Sequence, residues 1–297
     1  MDNLRFKEVV LNQSSTIDES VMTIIKDSLE SDGSFSSFCS NIDYASGNTR
    51  ILGGFISDQL VCINAFMRMK FTCKQAQVIG YQSGFSATSA NNRGKGLWPR
   101  LMNFGEELIA AQGGNFIFGY PNPVSHPLFV KKLQYRSMKL RDFVIARTPF
   151  WALRHIKAIE APSPAGSFMD ILKPDLRDNV DWKRREAGPN GVEVYSFRQS
   201  SAWGKIRTTT KLGIQIKFLE IGGLDLQSIA DLEGLLSIAF KQAQVFVCYI
   251  SLNEENEYYP LFKMRRKKYS PVIIRPLDGF ETRDMKLNFF GGMRDTY

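Results

Sequence analysis

The most informative segment of the sequence is Ala87-Thr88-Ser89-Ala90-Asn91-Asn92-Arg93-Gly94-Lys95-Gly96-Leu97. This segment follows a predicted strand and contains a polar loop. A predicted helix comes after the loop, because apolar residues recur there at helical spacing as Leu97, Leu101, Phe104 and Leu108. A helix N-terminus presents unpaired N–H groups and the positive end of the helix dipole. Gly94 and Gly96 let the backbone approach an anion, and Arg93 and Lys95 add positive charge. The stretch therefore predicts a pyrophosphate site where a helix begins.

Two better-known phosphate motifs do not fit this stretch. A P-loop needs Gly-x-x-x-x-Gly-Lys followed by Ser or Thr, and here Gly94-Lys95 is followed by Gly96. The spacing of a Rossmann fingerprint is absent as well. The remaining alternative is a basic turn whose glycines serve tight geometry alone, and these residues by themselves leave that alternative open.

Strand and helix patterns surround the glycine turn on both sides. Residues 61–72 alternate with a period of two, which predicts a strand, and a second strand follows over 75–87. Beyond the first helix, 116–120 is a short apolar run typical of a buried strand, and 126–133 predicts a second helix with strand sequence up to residue 145. Near the N-terminus, 4–11 predicts a strand and 18–29 a helix. The expected class is α/β, with a mixed central sheet and flanking helices.

Chain length and a proline-rich segment predict two domains. The chain has 297 residues, of which 43% are hydrophobic, enough for two ordinary cores. Prolines and small residues interrupt every pattern over 161–167, so the expected domains are 1–160 and 168–297. In the second half, the strand sequence 245–250 precedes Pro260-Leu261-Phe262-Lys263, much as 116–120 precedes Pro127-Leu128-Phe129-Val130-Lys131. This weak echo predicts a second, degenerate copy without a glycine turn.

The composition of the chain predicts its cell compartment and the charge of its partners. The sequence contains no apolar run of membrane-spanning length and starts without a signal-peptide pattern, so a soluble, cytoplasmic protein is expected. Four cysteines without Cys-x-x-Cys spacing and only two histidines predict neither a disulfide framework nor a metal site. A net charge of +8 suits anionic partners such as nucleotides, coenzyme A or nucleic acid.

The glycine turn also resembles a known motif. It looks like the coenzyme A motif of the GNAT acyltransferases, Gln/Arg-x-x-Gly-x-Gly/Ala, in which Arg93 and Gly96 match and Trp98 stands at the last position. The strand before it, the helix after it, the next strand at 116–120 and the segment 126–135 follow in the order of that family. The resemblance covers about residues 50–147 and implies a GNAT fold with acyl-coenzyme A as co-substrate and no metal.

The resemblance also implies which residues bind the cofactor. Backbone amides of Arg93, Gly94, Lys95, Gly96 and Leu97 would hold the pyrophosphate. The pantetheine arm would lie between two splayed strands, and the residues along it would be Ala87, Thr88, Asn122, Ser125 and Phe129. The alternative for Phe129 is an apolar helix anchor.

The family's proton donor is missing from this sequence. Many GNAT enzymes use a tyrosine on the second helix, and the matching position here is Val130. A backbone amide near Ala87 remains available to stabilise an oxyanion. His126, at the start of the second helix, is the candidate proton-transfer residue, and its alternative is a capping or surface histidine.

The acceptor is predicted from the layout of the whole chain. One active GNAT half followed by a degenerate half resembles N-acyltransferases of nucleotide-linked amino sugars, such as dTDP-3-amino-3,6-dideoxyhexoses, in the synthesis of surface polysaccharides, including the O-antigen of lipopolysaccharide. Fem-type aminoacyl or peptidyl transferases share this layout but have no need of a coenzyme A turn. A coenzyme A-binding scaffold without turnover is the non-enzymatic alternative. The basic cluster at 263–268 has few interleaved aromatic residues, so nucleic acid is not the expected partner.

Overall fold

The structure is a computed structural model that describes residues 3–11, 16–29, 34–42, 44–147, 153–154, 170–178, 191–211, 213–262, 265–282 and 285–293. Its helices are α1 (Thr16–Leu29), α2 (Phe35–Asn41), α3 (Leu97–Ala111) and α4 (Asp231–Ala243). A π-helical turn spans Leu128–Lys132, and 3₁₀ turns lie at Tyr44–Ser46, Ala90–Asn92, Tyr259–Leu261 and Gly291–Met293.

The strands of the first half are β1 (Leu4–Glu8), β2 (Thr49–Ile56), β3 (Gln59–Cys73), β4 (Ala76–Thr88), β5 (Phe116–Gly119), β6 (Arg136–Arg147) and β7 (Leu153–Arg154). Those of the second half are β8 (Ile171–Pro174), β9 (Glu193–Phe197), β10 (Ser200–Lys211), β11 (Ile214–Asp225), β12 (Val247–Asn253), β13 (Arg265–Pro276) and β14 (Lys286–Leu287).

One mixed sheet runs through both halves, in the order β1-β2-β3-β4-β5-β13-β6-β12-β11-β10-β9. β4 and β5 are parallel neighbours joined through α3, and β11 and β12 are parallel neighbours joined through α4. β13 pairs with β5 and with β6, while β6 also pairs with β12. The two halves therefore exchange strands: β6 of the first half pairs with β12, and β13 of the second half pairs with β5.

Helices cover both faces of the sheet in the first half. Ile63, Ala65 and Met67 of β3 lie in one cluster with Val21 and Ile25 of α1. The opposite face of the same sheet packs on α3, in a cluster that contains Phe66, Tyr81, Leu97, Leu101, Met102, Ile109 and Ile117. The alternating pattern of 61–72 thus marks a strand buried on both faces over most of its length, because each face has its own helix.

A third cluster belongs mainly to the second half. It joins α4 to β11, β12 and β13 through residues such as Leu219, Leu235, Phe240, Ile250 and Ile274. Phe71, Phe116 and Phe118 of the first half belong to the same cluster. The shared sheet and this core tie the two halves together.

The predicted elements of the first half are present with small shifts of their ends. The helix that follows the glycine turn begins at Leu97, as expected, and the second predicted helix is the short π-helical turn after His126. β2 was not predicted. Residues 161–167 lie outside the described part of the chain, so the division at that segment stays a prediction. Among the described helices, none is long and apolar enough to cross a bilayer.

Candidate active site

β4 and β5 form a fork. They pair only from Gly80 opposite Phe116 to Ser83 opposite Gly119, where β5 ends, while β4 continues to Thr88. The bulge that redirects β4 includes Phe85, whose φ of +50° is rare for a non-glycine residue. Beyond Ser83, β4 therefore no longer pairs with β5, as a site for an extended chain bearing amides would require.

The glycine turn lies between the end of β4 and α3. Gly94 and Gly96 have φ values of +76° and +69°, and a Cβ atom added at either position would meet nothing within 4 Å. These glycines are thus needed for their left-handed backbone, and the space beside them is open. α3 has no side-chain cap and no acidic residue in its first turn, so its first N–H groups are available to an anion.

Arg93 holds this turn in place. Its Nε donates to the Thr88 carbonyl at 3.1 Å, and its Nη2 donates to the Asp27 carbonyl at 3.0 Å and to Ser28 Oγ at 3.2 Å. The guanidinium thereby joins the turn to the end of β4 and to the last turn of α1. Nζ of Lys95 donates to Asn92 Oδ1 at 3.0 Å on the exposed side. Direct contact of either cation with a pyrophosphate stays a prediction.

The other wall of the fork is the segment between β5 and β6. Oδ1 of Asn122 accepts hydrogen bonds from the N–H groups of Val124 and Ser125 at 3.0 and 2.8 Å, and from Ser125 Oγ at 3.0 Å. Asn122 and Ser125 thus start the helical turn. Ala87, in contrast, is buried in β4 opposite Ile63, and the Thr88 carbonyl accepts from Arg93.

Phe129 packs this wall against α3. It is 4% exposed, and its ring lies edge-on to Trp98 at 4.8 Å and to Tyr135 at 5.1 Å between ring centroids. Trp98 is the second residue of α3 and is itself buried, so the helix start and the second wall are in direct contact. The structure places Phe129 as an apolar anchor, and a contact with a pantetheine arm stays a prediction.

A buried polar cluster lies at the base of the fork and was not predicted. Asn64 is fully buried, and its Oδ1 accepts from Ser83 Oγ at 3.2 Å and from Ser86 Oγ. Nε1 of Trp98 lies 3.4 Å from the same oxygen. The only sequence signal for this cluster is an asparagine within an apolar strand. The cluster fixes β4 to β3 and α3 at the point where β4 leaves β5.

His126 has a defined partner. Its Nε2 lies 2.8 Å from Oγ of Ser137 on β6, and its N–H donates to the Asn122 carbonyl at 2.9 Å. Ser137 pairs across the sheet with Ile273, which in turn pairs with Gly119 at the end of β5. The imidazole is therefore oriented by a residue of β6, the second strand beyond β5. Nothing in the sequence pattern links Ser137 to His126, because the pairing depends on the sheet register.

An ionisable group also lies beneath α3. Glu106 of α3 forms an ion pair of 3.6 Å with Arg275 of β13, and the Tyr135 hydroxyl is buried nearby. Burial raises the pKa of the Glu106 carboxyl above its ordinary value of 4.5, although Tyr135 and Arg275 lower it. Burial likewise raises the pKa of Tyr135 well above 10.0. This cluster links α3 to the strand that comes from the second half.

The second half presents a different surface at the start of its helix. The first turn of α4 contains Asp231 and Glu233, and Asp231 is 3% exposed. Its carboxylate accepts from Ser200 Oγ at 2.9 Å and forms an ion pair with Arg198 at 3.1 Å. Two acidic residues at a helix N-terminus repel a phosphate. Across the part of the chain that the structure describes, no group of His, Cys, Asp and Glu is arranged to hold a metal.

Comparisons with known proteins give a fold. No protein-family profile and no curated protein sequence matches the chain. A GCN5-related N-acetyltransferase from Anabaena variabilis is 14% identical with a TM-score of 0.64, over 92% of this chain and 73% of that chain. Another from Kribbella flavida is 15% identical with a TM-score of 0.57, over 93% and 71%. Eis1 from Mycobacterium abscessus is 12% identical with a TM-score of 0.59, over 93% and 74%. The chain therefore has the fold of the GCN5-related N-acetyltransferases, the GNAT fold that its sequence predicts.

Proposed function

We propose that the chain is an acyl-CoA-dependent N-acyltransferase. The observation that carries the proposal is that an uncapped, non-acidic helix N-terminus opens beside a fork between two parallel strands. Solved structures that share the fold include GCN5-related N-acetyltransferases, and this supports the same class of reaction for the chain.

The residues present fit coenzyme A. N–H groups of the turn and of the first turn of α3 suit a pyrophosphate, and the space beside Gly94 and Gly96 is open. The part of β4 beyond Ser83, which no longer pairs with β5, suits the two amides of a pantetheine arm, which can pair with a strand as a peptide does. Acyl-CoA supplies an acyl group activated as a thioester.

The chain's own residues have two tasks in this reaction. The fork holds the reactants together, and positioning of this kind supplies much of the rate in group transfer. N–H groups of β4 near Ala87 stabilise negative charge on oxygen, and His126, oriented by Ser137, accepts the proton of the attacking amine.

We further propose the amino group of a nucleotide-linked amino sugar as the acceptor. Support comes from the net charge of +8, which attracts phosphorylated substrates, and from the layout of the chain. Fem-type transferases use aminoacyl-tRNA as the donor and do not need a turn that binds coenzyme A. The presence of such a turn here therefore favours acyl-CoA as the donor.

The test measures free thiol and acylated product after mixing the chain with short acyl-CoA donors. The acceptors are dTDP-3-amino-3,6-dideoxyhexoses, simple amines as a comparison class, and buffer alone. Thiol release with an amino-sugar nucleotide and the matching product mass supports both parts of the proposal. Release with simple amines alone keeps the acyltransferase and rejects the sugar nucleotide. Tight coenzyme A binding without release with any amine indicates a scaffold, and the absence of coenzyme A binding rejects the proposal.

A further inference from the structure

The hairpin of β10 and β11 extends beyond the strands on either side of it. β9 pairs with β10 no further than Gly204, and β12 pairs with β11 only from Leu219 onward. Within the described residues, 205–211 therefore pair only with β11, and 214–218 pair only with β10. At about 3.3 Å per residue, the hairpin extends roughly 15 Å beyond Leu219. We call residues 205–217 the ribbon.

Both faces of the ribbon are exposed. Residues that lie directly opposite each other on antiparallel strands share a face. Thr209 therefore shares one face with Ile216, and Thr208 shares the other face with Lys217. All four residues are exposed. Packing in the core of the protein thus does not explain the aliphatic residues of the ribbon.

One face of the ribbon is aliphatic. Ile214 and Ile216 alternate along β11 with polar residues, and they are 67% and 39% exposed. Phe218 continues this face into the sheet, where its ring lies edge-on to Tyr249 at 4.9 Å between ring centroids. The opposite face is polar beyond Ile206, and its residues there are Thr208, Thr210, Gln215 and Lys217. The ribbon is therefore amphipathic, although its aliphatic face is in solvent.

The charge of the ribbon is positive. Its sequence contains no acidic residue, and its cationic residues are Lys205, Arg207, Lys211 and Lys217. Arg207 forms an ion pair of 3.0 Å with Glu220 at the base of the ribbon, whereas Lys217 is exposed closer to the turn. Exposed aliphatic side chains bind the interface of a bilayer, and nearby lysines are attracted to anionic headgroups. The two features of the ribbon thus match the two parts of one ligand surface.

Other partners match only one of these features. A basic two-stranded ribbon can contact a nucleic acid, but phosphate contacts would leave Ile214 and Ile216 in water. Single-stranded nucleic acids also require aromatic residues for base stacking, and 205–217 contains none. A second copy of the ribbon would bring like charges together. The combination of exposed isoleucines and lysines therefore favours an anionic lipid surface.

We propose that the ribbon binds the surface of membranes that contain anionic lipids. Ile214 and Ile216 enter the headgroup region, and the lysines of the ribbon pair with the anionic headgroups. β11 is the fourth strand beyond β5 in the sheet, so this surface is separate from the fork. The proposal does not depend on acyl transfer.

The first experiment is sedimentation of the full chain with vesicles. One set contains phosphatidylcholine alone, and the other contains about 30% phosphatidylglycerol in phosphatidylcholine. We expect binding to the anionic vesicles to be at least about tenfold stronger and to weaken at about 0.5 M salt. Absence of binding to the anionic vesicles at about 2 mM lipid, or equal binding to both sets, overturns the proposal.

A pair of aliphatic variants tests the face of the ribbon without a change in charge. Ile214→Ser/Ile216→Ser should weaken binding to the anionic vesicles about fivefold, because aliphatic area no longer leaves water on binding. Val10→Ser/Ile229→Ser is the matched control, since these residues are 69% and 36% exposed outside the ribbon. The control should bind as wild type does. Equal binding by all three proteins contradicts the role of the aliphatic face.

A pair of lysine variants separates the ribbon from the net charge of the chain. Lys205→Gln/Lys217→Gln should weaken binding to the anionic vesicles at least about tenfold. Lys7→Gln/Lys286→Gln removes the same charge from exposed positions outside the ribbon and should have a much smaller effect. Equal losses in the two double variants would assign binding to net charge and contradict the proposal.

The same proteins identify the alternative partners. Stronger binding to duplex DNA than to anionic vesicles, unchanged in Ile214→Ser/Ile216→Ser, would indicate a nucleic acid and contradict the proposal. Self-association that this variant abolishes, without binding to vesicles, would indicate a second copy and also contradict it. The comparison of the two vesicle sets with wild type stands even if a variant fails to fold.

Discussion

At the scale of single residues, the candidate site depends on two glycines for a conformational reason. Gly94 and Gly96 have left-handed φ values, and open space surrounds the positions where their Cβ atoms would be. A side chain there strains the backbone without colliding with neighbours, so the turn would relax and the N–H groups would lose their common direction. Asparagine tolerates this region far better than a β-branched residue.

We therefore expect Gly96→Val to weaken coenzyme A binding by about tenfold or more and Gly96→Asn to weaken it less. Gly47→Val is the matched control, because Gly47 also has a positive φ of +71° with nothing within 4 Å and lies outside the site. Calorimetry on folded variants provides the measurement. Equal affinities for wild type and Gly96→Val would remove this turn from the cofactor site.

His126 is the second residue on which the proposed chemistry depends. We expect His126→Ala to lower the rate constant of acyl transfer about 100-fold, with coenzyme A affinity nearly unchanged, if the imidazole accepts the amine proton. Ser137→Ala should have a smaller effect, since Ser137 only orients the ring through its 2.8 Å contact. Equal rate constants of acyl transfer for wild type and His126→Ala contradict the proton-transfer role.

At the scale of elements, the sequence predicted what local patterns encode. Hydrophobic periodicity predicted β3, β4, α3 and β5, and the glycine turn predicted a helix start with unpaired N–H groups. Both signals are local, because they depend only on residue spacing and turn chemistry. The double burial of β3 was not predictable from alternation, since it arises from α1 and α3 lying on opposite faces. The Asn64 cluster and the Ser137 contact depend on the register between strands, which a single strand's sequence does not contain.

The contact of α3 with β13 has a pH dependence with a defined sign. Burial raises the pKa of Glu106 above 4.5 in the folded protein, so the folded state binds more protons than the unfolded state just above that pH. The free energy of unfolding therefore includes a term that falls as pH rises through this window.

In Glu106→Gln this term is absent. The unfolding free energy of the variant minus that of wild type should therefore be larger at about pH 7 than at pH 4.5. Urea unfolding at both pH values measures the difference. Glu107→Gln, exposed on the next position of α3, is the control and should show no such trend. A difference that shrinks with rising pH would show that the ion pair with Arg275 outweighs burial.

At the scale of the whole molecule, the two halves share an order of elements but differ at their helix starts. α3 begins at a glycine turn without acidic residues, while α4 begins with Asp231 and Glu233. We expect one coenzyme A to bind per chain, because only the first helix start attracts phosphate. A calorimetric stoichiometry of two would contradict this difference between the halves.

The exchange of strands between the halves lies beyond what the sequence could predict. The echo of 116–131 in 245–263 indicates a repeat, but it does not specify which strand pairs with which. Two halves with separate sheets would give the same local patterns as two halves that share one. The choice is made by pairings such as Ile273 with Gly119, between residues more than 150 positions apart.

That exchange affects how the protein is made. While the chain emerges from the ribosome, β5 and β6 are synthesised more than a hundred residues before β13, the strand that lies between them. Until then β5 and β6 both lack the strand that lies between them in the folded protein, and unpaired strand edges recruit other chains. The pairing of β13 with β5 and β6 can form only after residue 276 has been synthesised, so we expect it to form late and to leave the chain open to aggregation in the interval. Binding of a chaperone to the growing chain should therefore be strongest before residue 276 has left the exit tunnel.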